Sequence, residues 1–206
     1  MRLRGFTLVE LLVVMTISAI LIAAAVPAFQ WTITRNRIAD ATNLLLANME
    51  YARMEASRRG NTISICRTLD PNAAPACSAA ASATVDGNDW ASWWLVFEKV
   101  LPNADETNFE AGDRLIFRQQ VSGGEAARVL IHSNIAAQRV AFQPRGTGGI
   151  LGAQTFAITY GVAPTPAVAN RALGAIPLTS AGRCIPITLI GSMRVVRAGV
   201  APCPAA

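Results

Sequence analysis

The chain has 206 residues, is 52% hydrophobic and carries a formal net charge of +5. Past an apolar N-terminal run about 175 residues remain, enough for one domain with its own core, and no internal repeat or change of composition marks a second. A single histidine, His132, and four cysteines without a CxxC pair leave little basis for a zinc site.

Arg2 and Arg4 precede Gly5, and from Phe6 to Phe29 the only charge is Glu10. About twenty apolar helical residues cross a hydrocarbon core of about 30 Å. A cleaved secretory signal has a shorter apolar stretch, of about 7–15 residues, followed by a small-residue cleavage site. Val26-Pro27-Ala28-Phe29 makes a poor site of that kind. The segment is therefore expected to stay on the protein. Glu10 is the unusual feature, because a carboxylate at membrane depth costs about 2.5–3.5 kcal/mol even on lenient scales. An ordinary signal-anchor has no use for it. Pro27 removes one helical hydrogen bond and is expected to kink the helix, since the amphipathic pattern resumes beyond it.

Gly5-Phe6-Thr7-Leu8-Val9-Glu10-Leu11-Leu12-Val13-Val14 resembles the class III signal motif of type IV pilins and type II secretion pseudopilins. The resemblance implies cleavage by prepilin peptidase between Gly5 and Phe6, N-methylation of Phe6 and retention of the apolar segment. Loss of Arg2 and Arg4 with the leader takes the side-chain charge from +5 to +3. It also implies a partner for Glu10 in the low-dielectric core of a filament: the α-amine of Phe6 on an adjacent subunit, which offsets the cost of burying the carboxylate.

From Thr32 to Arg59 the pattern is helical. Ile38, Thr42, Leu45, Met49, Ala52 and Ala56 recur at spacings of four and three and form one apolar face. Glu55 has Arg58 and Arg59 within one turn, so weak local ion pairs are expected. Gly60-Asn61 reads as the helix exit. A helix from Phe6 to Arg59 is about 80 Å long at 1.5 Å per residue.

Strand-like blocks follow at 62–66, 90–98, 114–119, 128–132, 139–143, 155–160, 185–190 and 193–197. Residues 70–88 and 161–174 read as loops, and Gly146-Thr147-Gly148-Gly149 as a turn. That turn lacks the lysine and following helix of a phosphate loop. Trp90, Trp93 and Trp94 sit in one strand block; aromatic clusters can stack bases, but here the expected role is to anchor a core. Cys66, Cys77, Cys184 and Cys203 allow three pairings. In an extracytoplasmic domain disulfides persist, and the sequence-local pairs Cys66–Cys77 and Cys184–Cys203 are the expected ones.

Glu50–Cys66, the tryptophan-rich stretch Asp89–Lys99, Phe142-Gln143-Pro144-Arg145-Gly146 with its following strand, and Arg183–Arg197 together resemble the GspH/FimT branch of pilin-like proteins. The branch includes minor pilins of type IV pili and the H-type pseudopilin of type II secretion. It implies an α+β fold, one long N-terminal helix packed on antiparallel sheet. The expected organisation is a leader at 1–5, a transmembrane and filament-core helix at 6–29, and a periplasmic domain at 30–206. The expected function is a minor pilin assembled at or near the tip of a type IV pilus, with the inner membrane, prepilin peptidase and other pilins as partners.

No arrangement of catalytic residues is evident. His132 lies at a strand end without a neighbouring motif, and Asp105-Glu106 reads as a solvated face. No enzyme activity, cofactor, metal or small-molecule substrate is expected. DNA is a further candidate partner, because some FimT-type minor pilins bind it through a C-terminal Gly-Arg-x-Arg turn. Here the place reads Gly191-Ser192-Met193-Arg194-Val195-Val196-Arg197, with serine for the first arginine. No Asp or Glu follows Glu125, so the C-terminal part is basic. Arg183, Arg194 and Arg197 are the candidate phosphate contacts; Arg194 and Arg197 would face opposite sides of a strand, and Arg183 approaches Arg194 if Gly191 forms the hairpin tip.

Overall fold

The computed structural model describes residues 7–68, 72–77, 90, 93–100, 108–121, 129–133, 139–145, 153–160, 181–200 and 203. By its internal contacts the chain divides into two units, Met1–Asn36 and Arg37–Ala206. Helix α1 (Leu8–Arg59) has residues in both.

In the first unit, from Leu8 to Phe29, the sequence of α1 is almost wholly apolar, with Glu10 its one charge. Leu8, Leu12, Ile17, Leu21 and Phe29 are all exposed. Helix propensity alone does not demand such a surface; a helix hydrophobic all round is one that something else buries.

In the second unit α1 has one apolar stripe. Ile38, Ala41, Leu45, Met49, Ala52 and Ala56 are buried, and Thr42 beside them donates its hydroxyl to the Ile38 carbonyl at 2.6 Å. The helix ends as the sequence indicates. Gly60 adopts φ 71°, a left-handed conformation that costs glycine little, and its N–H returns to the Ala56 carbonyl at 3.0 Å.

Among the described residues eight strands form two antiparallel four-stranded sheets. They are β1 (Ile63–Thr68), β2 (Trp93–Glu98), β3 (Arg114–Gln119), β4 (Val129–Ser133), β5 (Arg139–Phe142), β6 (Gln154–Tyr160), β7 (Arg183–Ile187) and β8 (Val196–Arg197). The first sheet runs β3-β2-β1-β5 and the second β4-β6-β7-β8. One core joins the helix stripe to Ile63, Ile65, Trp94, Val96 and Phe142 of the first sheet and to Ile131, Phe156, Ile158, Ile185 and Ile187 of the second. Trp90 and Trp94 are fully buried, and Trp90 meets Phe156 edge-on at 4.9 Å. The aromatic cluster is therefore a core anchor and not a stacking platform.

Strand β1 is buried on both faces. Ile63 and Ile65 face the main core, while Cys66 joins Leu95, Phe97, Cys77, Phe109 and Leu115 in a small outer cluster. The Cys66–Cys77 disulfide fastens that cluster. A bulge between β2 and β3 lets Ile116 and Phe117 both pack toward the main core while Leu115 stays in the outer cluster. The second disulfide joins Cys184 to Cys203 and holds the C-terminal tail on β7.

Candidate functional site

The N-terminal segment comes first. Gly5 and Phe6, the expected cleavage and methylation positions, lie outside the described residues, as does the side chain of Pro27. The backbone of α1 is helical through residue 27. Glu10 stands in the first turn and is exposed. Its N–H donates to the Thr7 hydroxyl oxygen at 3.2 Å, so Thr7 caps the helix. Thr7 is a functional residue that the sequence reading passed over. Its signal was present: Thr followed three residues later by Glu is the capping-box spacing. The cap fixes where the helix begins, and a carboxylate in the first turn also suits the positive end of the helix dipole. Among the described residues no helix is long and apolar enough to cross a membrane.

The arginine face is built by the β7–β8 hairpin. Arg183 lies opposite Arg197 and Cys184 opposite Val196. This corrects the expected approach of Arg183 to Arg194: the cross-strand partner of Arg183 is Arg197. The physical reason lies in the turn. Thr188 N–H donates to the Ser192 carbonyl at 3.1 Å, Gly191 N–H donates to the Thr188 carbonyl at 2.8 Å, and Gly191 adopts φ 73°. Residues 188–192 thus form the tip, Ile187 bridges Met193, and Arg194 falls between that bridge and the β7–β8 pairing. Pro186 has no N–H to give, so the ladder cannot run unbroken to the tip. The expected strand 193–197 accordingly shrinks to Val196–Arg197. Ser192, which replaces an arginine of the DNA-binding pattern, closes the turn instead: its N–H donates to the Thr188 hydroxyl at 3.0 Å. Arg194 and Arg197 are exposed and Arg183 is half-buried.

Among the described residues two ionic clusters hold the domain in shape. Glu55 accepts from Arg58 at 2.8 and 3.0 Å and from Arg59. Arg59 also donates to Glu98 at 2.7 Å, and the Asn61 amide donates to Glu98 at 2.8 Å, tying the helix end to β2. The hydrogen bonds from Arg58 and then Arg59 hold the Glu55 carboxyl down at about 2. Those from Asn61 and Arg59 lower Glu98 as well. A carboxyl depressed in the folded state stabilises above its unfolded value, here 4.5, and loses that contribution as pH falls through about 2. Denaturation of Glu55→Gln and wild type is expected to differ at neutral pH and to converge as pH falls from 4.5 toward 2. A constant difference down to the lowest pH would remove the ion pairs as its cause.

The second cluster centres on a buried pair, Lys99 and Asp113. Lys99, the sole lysine, reaches Asp113 at 2.7 Å, the Asn108 carbonyl at 2.8 Å and Glu110 at 3.1 Å. The backbone of His132 is in β4 opposite Ala157; its side chain lies outside the described residues. Among the described residues no group of three or more potential metal ligands occurs. An open depression of about 450 Å³ beside the hairpin tip is lined by Ala153, Thr155, Pro186, Ile187, Thr188, Leu189 and Ile190, none of them titratable.

A capped N-terminal helix, almost wholly apolar at its start and striped at its end, joined to two antiparallel sheets, defines a pilin-like subunit. The family model described as Type II transport protein GspH matches residues 41–182, and the prokaryotic N-terminal methylation motif matches residues 1–26. The chain belongs to the GspH family. Its fold is similar to a crystal structure of the Pseudomonas aeruginosa (strain PAO1) type IV minor pilin FimU, with 22% identity, 84% of this chain and 97% of that chain covered, and a TM-score of 0.52. A second crystal form of FimU aligns at 18% identity over 81% of this chain and 98% of that chain, with a TM-score of 0.48. No curated protein matches.

Proposed function

We propose that the chain is a minor pilin: a structural subunit that waits in the inner membrane and is then assembled at or near the tip of a type IV pilus. The observation that carries the reading is the join itself. A methylation motif opens a helix with an unpartnered apolar surface, and that helix continues as the spine of a GspH-family domain. In the inner membrane the apolar stretch 6–29 is buried by lipid, with the domain in the periplasm; in the filament it is buried by other pilins. Prepilin peptidase removes residues 1–5, Phe6 is methylated and Glu10 pairs with a neighbouring Phe6 amine. Pro27 bends the helix where the first environment ends. The chain works by packing, without catalysis or a cofactor.

The test is to shear surface filaments from cells and probe them for this chain. Its presence in the sheared fraction, with loss of piliation on deletion, is expected. Absence from filaments together with a protein-secretion defect on deletion would indicate the H-type pseudopilin instead.

A second reading, contact with duplex DNA, is favoured by one observation: the hairpin register places Arg183 and Arg197 side by side on a chain end without acidic residues. Arginine forks suit phosphate, and such contacts release counterions. Arg183→Ala/Arg197→Ala is expected to weaken duplex binding at low salt and to flatten the log K against log salt slope by about 1–2. Binding that does not respond to salt would end this reading.

A further inference from the structure

The apolar face of α1 ends in an exposed aromatic–cation pair that the assembly reading leaves unused. Trp31 is 55% exposed, and the Arg35 guanidinium lies 4.5 Å from the centre of its ring. Phe29 and Gln30 directly before it are exposed too, and from Gln30 onward polar residues enter the sequence. Exposed tryptophan at the end of an apolar helix, stacked under an arginine, is out of place as ordinary surface. An indole prefers the boundary layer of a bilayer, where its ring meets acyl chains and its N–H meets water and headgroups. A guanidinium stacked on one face keeps its N–H donors, which fit the two-oxygen geometry of phosphate.

Length agrees with chemistry. From Glu10 to Trp31 the helix rises about 31 Å at 1.5 Å per residue. The hydrocarbon core of a bilayer is about 30 Å thick. The first polar side chain of the helix and the first tryptophan therefore bracket one core thickness. With Glu10 at the cytoplasmic boundary, Trp31 falls at the outer one and Arg35, one turn further on, among the headgroups.

We infer that Trp31 and Arg35 form a lipid-headgroup anchor, taking phospholipid phosphate at the periplasmic face and setting the depth of the waiting subunit. The inference rests on the membrane-inserted stage proposed above and adds to it a defined contact and register. The pair holds the helix until assembly draws it out, so it fixes where the subunit stands when its neighbours arrive. The occupant is lipid because the pair offers both an amphipathic ring and a cation at one core length from Glu10.

The test uses the full chain reconstituted in vesicles of phosphatidylethanolamine and phosphatidylglycerol, with a share of phosphatidylcholine brominated at shallow or deep acyl positions. Trp90 and Trp94 are buried in the core, and the difference between wild type and Trp31→Phe isolates the emission of Trp31. Resistance to alkaline extraction reports insertion separately. The expected result is an inserted chain whose Trp31 is quenched more by shallow than by deep bromines, with a shift to deeper quenching in Arg35→Ala. An inserted chain with Trp31 quenched most at the bilayer centre overturns the anchor but leaves the membrane reading standing. So does Trp31 open to aqueous iodide and untouched by bromolipid, or shielded from both, as by a protein neighbour. Release of the chain by alkali overturns the membrane stage itself.

Discussion

Asp113→Ala lowers the stability of the sheet domain by about 3–5 kcal/mol, the cost of leaving one member of a buried ion pair alone. Asp113 is fully buried at its side chain and Lys99 nearly so, at 4% exposure. One Asp113 oxygen accepts both from Lys99 at 2.7 Å and from the Glu110 N–H at 2.8 Å, so a single carboxylate closes the turn before β3 and neutralises the ammonium at the end of β2. Truncation leaves the ammonium with one carbonyl and with Glu110, whose side chain is 36% exposed. Glu110→Ala should therefore cost about 1 kcal/mol or less, as exposed pairs do. Lys99→Met/Asp113→Leu should recover much of the loss, because the desolvation cost disappears with both charges. Urea denaturation of the full chain in detergent measures all three. A single-variant loss below that of Glu110→Ala would mean that the pair does not hold this turn.

Glu10→Ala is expected to leave leader removal intact and to abolish entry into the filament. In the apolar core of a filament, removing one member of an ion pair costs about 3–5 kcal/mol, or about two to four powers of ten in subunit addition. The helix cap does not depend on the Glu10 side chain, since the Thr7 hydroxyl accepts the backbone N–H of residue 10, which both variants retain. Glu10→Gln keeps the size and polarity of the side chain but carries no charge, so it should fail in assembly as alanine does. Normal incorporation of either variant would sink the pairing of Glu10 with Phe6. Immunoblots of sheared filaments and of the membrane fraction provide the readout.

The helix stripe was legible because its period is local: Ile38 to Ala56 recur at three and four, and all are buried. The alternating strands were legible for the same reason. The burial of β1 on both faces was not, because much of its outer cover comes from Phe109 and Leu115, far along the chain. Nor was the partner of Lys99, since Asp113 reads in sequence as one more member of an acidic stretch; only the turn before β3 brings it under the ammonium. The arginine register depended on the turn. Whether Arg183 meets Arg194 or Arg197 is decided by hydrogen bonds among Thr188, Gly191 and Ser192, which sequence spacing does not report. Thr7 is the opposite case, a local signal that was available and outweighed by the more conspicuous Glu10.

The central claim, that this is a processed filament subunit, is tested most directly by mass spectrometry of the chain recovered from sheared filaments. A mature N-terminus at Phe6, methylated on its amine and lacking residues 1–5, is the result the account predicts. A chain that retains Met1–Gly5, or one cut beyond the apolar segment, would contradict it.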